Sequence, residues 1–415
     1  MKILWVKAGR LLPADTGGRL RSYNLLRCLA REHDVTLLSY YGGFRDLQYE
    51  AEIREKLPGS EIIYTAAPDS TPLEQALDYA RRLRRSAPHA VSKFTHPEVA
   101  RAVEGHLAEG GFDIAVCDFL SASLNFPEER RAPAVLFQHN VESSLWQRMA
   151  DTDANLIKKM AYKLESVKMR RYERAALSRF DHVIAVSNHD RDLMLQMDPS
   201  CKISVVATGV DTRQFTVAPP SRTDPPRIVF TGSMDWEPNI DAVEYFCRQI
   251  LPRVREKKPE AIFQIVGRNP HSKVQRLAGS SVEVTGSVPS VIPYLSQASV
   301  VVIPLRIGGG TRLKIFEAMA MGKALVSTTI GAEGLDVENG CDLIIADDAS
   351  AFAEAILLLL RDDTLRRTYE HAAVQVAARH DWSRIAVQFA KVLQQTIEET
   401  VSFPQDSHSA VPVVQ

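Results

Sequence analysis

The chain has 415 residues, 45% hydrophobic and 24% charged, which excludes a wholly disordered or fibrous protein and calls for two domains rather than one core. Lys+Arg total 50 against Asp+Glu 51, a net charge of -1, so nothing suggests a general nucleic-acid binder. Cys28, Cys117, Cys201, Cys247 and Cys341 are scattered with no CxxC pair, so neither a disulfide framework nor a zinc site is indicated.

Lys7 breaks the first apolar run, Ile3 to Val6, too early for a secretory core. The later runs SVVVIPL and AILLLL fall short of the ~18 residues that a membrane-spanning helix needs. A cytoplasmic setting is expected. Short Val/Ile-rich runs then alternate with helix-period segments, the pattern of a parallel sheet wrapped by helices in an α/β fold. In the first half the spacing predicts strands at Ile3–Val6, Val35–Ser39, Glu61–Tyr64, Ile114–Cys117, Ala134–Phe137, His182–Val186 and Ile203–Val206. That is one complete doubly wound sheet. The proline-rich stretch VAPPSRTDPP carries no apolar period and reads as a linker. Beyond it, strands are expected at Ile228–Thr231, Ile262–Val266, Val282–Thr285, Val300–Ile303, Ala324–Ser327 and Leu343–Ala346. The divisions expected are a first domain over 1–216, a linker over 217–226 and a second domain over 227–385. A helix over 386–400, able to return to the first domain, and a tail over 401–415 complete the chain.

Two segments of the first half are basic. One carries Arg81, Arg82, Arg84, Arg85, Lys93 and Arg101; the other, from Asn155 to Arg179, has eight Lys/Arg against Glu165 and Glu173. Each reads either as a solvated helix face or as a contact with an anionic membrane surface or lipid-linked substrate.

The most informative run is VVVIPLRIGGGTRLKIFEAMAMGKALVST, where a strand ends near Pro304, a glycine triplet follows, and a helix is expected to begin at Thr311. Gly309 and Gly310 let backbone N–H groups approach a ligand, Thr311 suits an N-cap, and a helix N-terminus favours a phosphate. On that helix Leu313, Phe316 and Ala320 are expected to face the core, with Lys314 and Glu317 on another face one turn apart. A lysine there can neutralise a diphosphate, and a carboxylate can accept from a ribose diol. A plain glycine-rich turn with a surface ion pair is the alternative. The order of a Walker A loop is absent.

A second constellation is FTGSMDWEPNIDAVEYF. The strand ends at Thr231, Asn239 is expected to cap a helix with apolar positions Ile240, Val243, Phe246 and Ile250, and Gly232, Ser233 and Met234 lie at the carboxyl edge where open α/β sheets bind ligands. Met234 and Trp236 packed as a loop plug is the other reading. In the first half, Gly17 and Gly18 follow the first strand and His139 follows the strand ending at Phe137, both facing one crevice. His139 on its own suits a structural residue as well as a catalyst. The triplet Asp151-Thr152-Asp153 falls in a helix-like segment rather than at a strand edge, so metal binding is not expected there.

In this order these constellations resemble the family 4 glycosyltransferases with the GT-B fold, in particular members associated with exopolysaccharide synthesis. The resemblance runs from the first strand to about Leu393. It rests chiefly on GSMDWEPNIDAVEYF and PLRIGGGTRLKIFEAMAMGKALVST, supported by DTGGRLRSYNLL, the His139-Asn140 pair, RFDHVIAVSN and TGVDTRQF. It implies two Rossmann-like doubly wound domains facing across a cleft, the first for the acceptor and the second for the nucleotide. The implied activity is retaining transfer of a sugar from a nucleoside diphosphate to a glycan or lipid-linked acceptor, with no metal and no cofactor. Of the two family glutamates eight residues apart, the second corresponds to Glu317, expected on the ribose, while the first falls at Gly309.

The family's diphosphate-binding Arg and Lys are not matched in SMDWEPN, which leaves Lys314 and Arg312, and after them Arg306, to supply charge. The resemblance places the base near Gly267-Arg268 and Ser287-Val288, and His139 on a sugar hydroxyl. Retention would follow front-face departure, the leaving phosphate oxygen helping to deprotonate the acceptor. A GT-B nucleotide-sugar epimerase and a non-catalytic nucleotide-sugar-binding protein are the alternative functions.

Overall fold

Apolar runs flanked by turn residues become strands buried on both faces, as Ile3, Leu4, Trp5 and Val6, all 0% exposed, illustrate. A computed structural model describes residues 1–65, 87–152, 156–217, 224–307 and 312–402. The chain divides into two compact units, Met1–Val206 with the residues from Ala386 on, and Ala207–Ile385.

The first unit holds β1 (Lys2–Ala8), β2 (Asp34–Tyr41), β3 (Glu61–Tyr64), β4 (Ile114–Asp118), β5 (Ala134–Phe137), β6 (His182–Ala185) and β7 (Ile203–Val205). They form one parallel sheet in the order β3-β2-β1-β4-β5-β6-β7. The chain reverses direction of travel through the sheet between β1 and β4, the switch point at which such sheets take ligands beyond their carboxyl ends. Phe389, on the helix Trp382–Ser402, packs on Trp5 and Phe137 with ring centroids 5.4 and 5.0 Å apart.

The second unit repeats the plan with β8 (Arg227–Thr231), β9 (Ile262–Val266), β10 (Val282–Gly286), β11 (Val300–Ile303), β12 (Leu325–Ser327) and β13 (Ile344–Ile345). Their order is β10-β9-β8-β11-β12-β13, again parallel, with the switch point between β8 and β11. All the strands expected from the sequence are present, and the α/β expectation holds for both halves.

The division between units differs from the expected one at residue 216. Residues 207–216 belong with the second unit because they are held there: Val210 N donates to His380 O at 2.8 Å, and Thr212 donates from N and Oγ1 to Asp381 Oδ2. Phe215 sits in the second core. A Cβ at Gly209 would lie 2.7 Å from the Trp382 ring, so only glycine fits at this crossing. Of the proline-rich stretch, residues 218–223 lie outside the described residues, as do 403–415 of the expected tail.

Candidate active site

In the second unit the switch point gathers three loops. Gly232 follows β8 and Gly267 follows β9. Gly232 N donates to Val266 O at 3.0 Å, and a Cβ on Gly267 would stand 1.6 Å from Gly232 O, so this backbone pair excludes a side chain. A Cβ on Gly232 would meet Lys314 Nζ at 2.7 Å and Asn239 Nδ2 at 2.8 Å. Asn239 is not the N-cap that its sequence position suggested. The helix Glu237–Tyr245 starts three residues earlier than that cap would place it, with Trp236 as its flanking residue, and Pro238 stands in the first turn, where a missing N–H costs nothing. Asn239 is buried instead, donating through Nδ2 to Ser233 O at 2.8 Å and accepting from Lys314 Nζ at 3.0 Å. Ile240, Val243, Phe246 and Ile250 lie in the core as expected.

The helix bearing Lys314 and Glu317 spans Leu313–Ala320 with Arg312 as its flanking residue. Thr311, Gly309 and Gly310 lie outside the described residues. Phe316 and Ala320 face the core, and Phe316 stacks on His380 with centroids 4.3 Å apart. Leu313, expected in the core, is half-buried; Ile315 and Met319 fill that side. The physical reason is angular: Leu313 and Ile315 lie about 200° apart around the helix, so the face that buries Ile315, Phe316 and Met319 leaves Leu313 at its margin.

Lys314 and Glu317 are both half-buried. Lys314 Nζ lies 4.1 Å over the Phe230 ring centroid, a cation–π contact. Burial, with Arg312 adding and Glu317 opposing, brings the Lys314 pKa down to about 7. Burial pushes Glu317 up to about 7 against the pull of Lys314. The pair is thus poised between charge states, and an arriving anion would favour the protonated lysine.

Arg312 is buried, its Nη2 donating to Ile330 O. Arg306 is committed elsewhere, forked on Asp241 and lying over Tyr245 with its guanidinium carbon 4.4 Å from the ring centroid. Met234 is 0% exposed in the core, so its side chain is a plug and only its backbone is at the edge, where its N donates to Arg268 O. Ser233 Oγ accepts from Arg268 Nε at 3.1 Å and donates to Asp235 at 2.6 Å, which laces the loops after β8 and β9 together. Ser287, just past β10, is exposed, and Val288 packs on the core.

In the first unit Gly17 and Gly18 open the helix Gly17–Leu29 rather than a loop. A Cβ on Gly18 would come 3.2 Å from His139 Nδ1. The other ring nitrogen, Nε2, is 2.8 Å from Asp118 Oδ1 at the end of β4. Asp118 Oδ2 accepts from Trp5 Nε1 at 2.9 Å and from Lys7 Nζ at 3.0 Å; Lys7 also reaches Ser22 Oγ, which donates to Gly18 O. Burial would raise the Asp118 pKa, but Lys7 and His139 outweigh it and hold the carboxyl well below its usual range. Burial brings His139 down to about 4 despite Asp118, so the ring is neutral near pH 7. Beside a carboxylate that neutral ring keeps its proton on Nε2, leaving Nδ1 as an acceptor on the Gly18 side.

Sequence reasoning missed Lys7, Trp5, Ser22 and Asp118. The available signal was a charged residue inside or closing a buried strand, in LWVKA and IAVCD. The triplet at 151–153 gives Asp151, exposed on a helix and bonded to Gln147, while Asp153 lies outside the described residues.

Residues 17–214 match the family profile described as Glycosyltransferase Family 4, and residues 225–362 match Glycosyl transferases group 1. Among curated relatives, phosphatidyl-myo-inositol mannosyltransferase of Mycobacterium leprae is 31% identical over 151 residues, 35% of this chain and 40% of the relative. Its counterpart from Mycolicibacterium smegmatis is 25% identical over 308 residues, 72% of this chain and 75% of the relative. An uncharacterized 44.6 kDa protein in the cps region of Klebsiella pneumoniae is 23% identical, covering 86% of this chain and 90% of that one.

Two solved structures share the fold at low identity. Sucrose-phosphate synthase from Thermosynechococcus elongatus has a TM-score of 0.69 and 17% identity, covering 96% of this chain and all of that one. Anabaena HepE in complex with UDP and glucose has a TM-score of 0.64 and 15% identity over 95% of this chain and 99% of that one. With two Rossmann-like parallel sheets and both halves matched in order, the chain is a group 1 glycosyltransferase of the GT-B fold.

Proposed function

We propose that this enzyme transfers a sugar from a nucleoside-diphosphate sugar to a glycan or lipid-linked acceptor, with retention of configuration and without a metal. The observation that carries the reading is Lys314, held against Asn239 and Gly232 at the switch point of the second sheet, where a diphosphate would meet a fixed cation. Arg312 adds charge at the start of the same helix, and Glu317, one turn on, accepts from the ribose. Backbone amides of Gly309 and Gly310 stand in for the absent first glutamate of the family pattern. Gly267-Arg268 and Ser287-Val288 border the base, and His139 receives a sugar hydroxyl at Nδ1. The departing phosphate oxygen takes the acceptor proton on the same face, so no strong protein base is needed.

Support for a lipid-linked or polysaccharide acceptor comes from the names of the relatives, a phosphatidyl-myo-inositol mannosyltransferase and a protein of a cps region. HepE, whose structure holds UDP and glucose, supports the donor class. Thermal unfolding with a panel of UDP-, GDP- and ADP-sugars tests the proposal, since a donor that binds only the native state raises the melting temperature. One donor is expected to stabilise, its transfer product to keep the anomeric configuration, and excess EDTA to leave the rate unchanged. No stabilisation by any of them, or inversion at the anomeric carbon, overturns it.

A further inference from the structure

The helix Leu156–Arg179 turns its two acids inward and six of its eight bases outward. Glu165 and Glu173 are 4% and 2% exposed, and Glu173 accepts from the backbone N–H groups of Glu142 and Ser143 at 2.7 and 3.1 Å. Met169, Ala176 and Leu177 on the same side enter the core. The opposite face carries Leu156, Met160, Leu164 and Val167, which are 75, 74, 48 and 47% exposed. Their spacing of i, i+4, i+8 and i+11 stacks them in one stripe. Lys159, Lys163 and Arg170 line one side of it and Arg171 follows one turn beyond Val167, all exposed, and among the described residues of this helix no acid shares the face. Four large apolar side chains in a row on a water-facing surface are not explained by packing within the unit.

We infer that this helix face docks the enzyme on an anionic lipid surface. Charge complementarity selects that occupant: a second copy meeting the first through the same face would oppose bases to bases. The apolar stripe selects lipid over an acidic protein or polymer, because apolar side chains enter the headgroup boundary while the flanking lysines and arginines reach the phosphates along their own stems. The face uses none of the residues assigned to donor or sugar, so it stands apart from the proposed transfer chemistry. It limits the region of the first unit in contact with lipid to the outer surface of one helix.

The test is co-sedimentation of the full chain with phosphatidylcholine vesicles, with and without phosphatidylglycerol, at low and high salt. The native chain is expected to sediment with phosphatidylglycerol vesicles at low salt and to be released by high salt. Each basic residue near such a surface contributes roughly a fivefold factor. Lys159→Gln, Lys163→Gln, Arg170→Gln and Arg171→Gln together should then lower partitioning by on the order of several hundredfold. Leu156→Ser with Met160→Ser should weaken binding at low salt although every basic residue is kept. Native-like melting temperatures and donor-induced stabilisation in both variants would show that the fold and the donor site survive. A native chain left in the supernatant at low salt overturns the inference, as do variants that sediment like the native. A dimer that Leu156→Ser and Met160→Ser make monomeric would assign the face to a second copy instead. A chain that binds vesicles but no nucleotide sugar would fail the transfer proposal alone.

Discussion

The ammonium of Lys314 lies 3.0 Å from the side-chain oxygen of Asn239, and the two together occupy the space that a side chain at Gly232 would need. Two segments 75 residues apart thereby fix one cation at the switch point of the second sheet. Gly232→Ala should push Lys314 off Asn239. A hydrogen bond to a charged group contributes ~1.5–3 kcal/mol, so affinity for the donor's nucleoside diphosphate should fall by on the order of tenfold or more. Calorimetric titration measures it, and an unchanged dissociation constant in a folded Gly232→Ala protein would count against a phosphate role for Lys314.

The same lysine makes donor binding depend on pH. Its pKa is lowered to about 7 and that of Glu317 raised to about 7, both through burial first. Above pH 7 Lys314 loses its charge and donor affinity should fall, approaching a tenfold loss for about each further pH unit. Below pH 7 Glu317 takes a proton, loses acceptor capacity toward the ribose, and affinity should fall again. The two titrate as a pair, so the limits of the bell belong to both. Lys314→Arg, whose charge does not titrate in this range, should flatten the alkaline limb, whereas Glu317→Gln should flatten the acid one. Donor titrations between pH 5.5 and about 9 check this; an alkaline limb that survives in Lys314→Arg would place the titrating group elsewhere.

In the first unit, acid should loosen the fold through His139 and Asp118. His139 titrates near 4 in the native chain against a usual 6.5. The unfolded chain therefore takes up a proton first as pH falls through 6.5, and stability drops until the native ring also protonates. Between pH 7 and pH 5 the loss from this one ring is ~2 kcal/mol. Asp118, held well below its usual range, contributes stability that is present above about pH 4 and lost as pH falls further. Urea unfolding at pH 7 and pH 5 should show a gap that narrows in His139→Gln. Asp118→Ala should cost ~3–5 kcal/mol at pH 7, because Lys7 is left buried without its counter-charge. An Asp118→Ala chain as stable as the native would remove the network from the account.

Strands were legible because a parallel sheet buries both faces, so each run of Val, Ile and Leu stands out between turn residues; Ala134–Phe137 and Ile262–Val266 have the bounds expected from sequence. Helix starts were less legible. Asn239 looks like a cap by residue type, yet its side chain is drawn into the contact with Lys314, which lies 75 residues away. Gly18 and His139 could be named from the sequence as facing one crevice, but the pairing of Asp118 with Lys7 could not. Their pairing depends on the register Lys7↔Asp118 between β1 and β4, which no local pattern contains. The division at Val206 escaped for a similar reason: Val210 and Thr212 are bound to residues 380 to 382.

Glu173 supplies a stability prediction that opposes the first unit's acid lability. Its carboxylate closes the first turn of the helix Glu142–Thr152, just after His139, by accepting from two backbone N–H groups. Burial nonetheless outweighs those bonds and raises its pKa from 4.5 to about 7. The native chain therefore holds a proton that the unfolded chain has released between these values, and stability falls as pH rises through that window. Ionising Glu173 in the fold costs ~2–3 kcal/mol between pH 5 and pH 8. Glu173→Gln cannot ionise, and although its NH2 replaces one of the two accepting oxygens, its stability relative to native should rise by ~2–3 kcal/mol from pH 5 to pH 8. Urea unfolding at the two pH values measures both differences. Equal differences at pH 5 and pH 8 would mean that Glu173 stays ionised throughout, with the two N–H groups outweighing the loss of water.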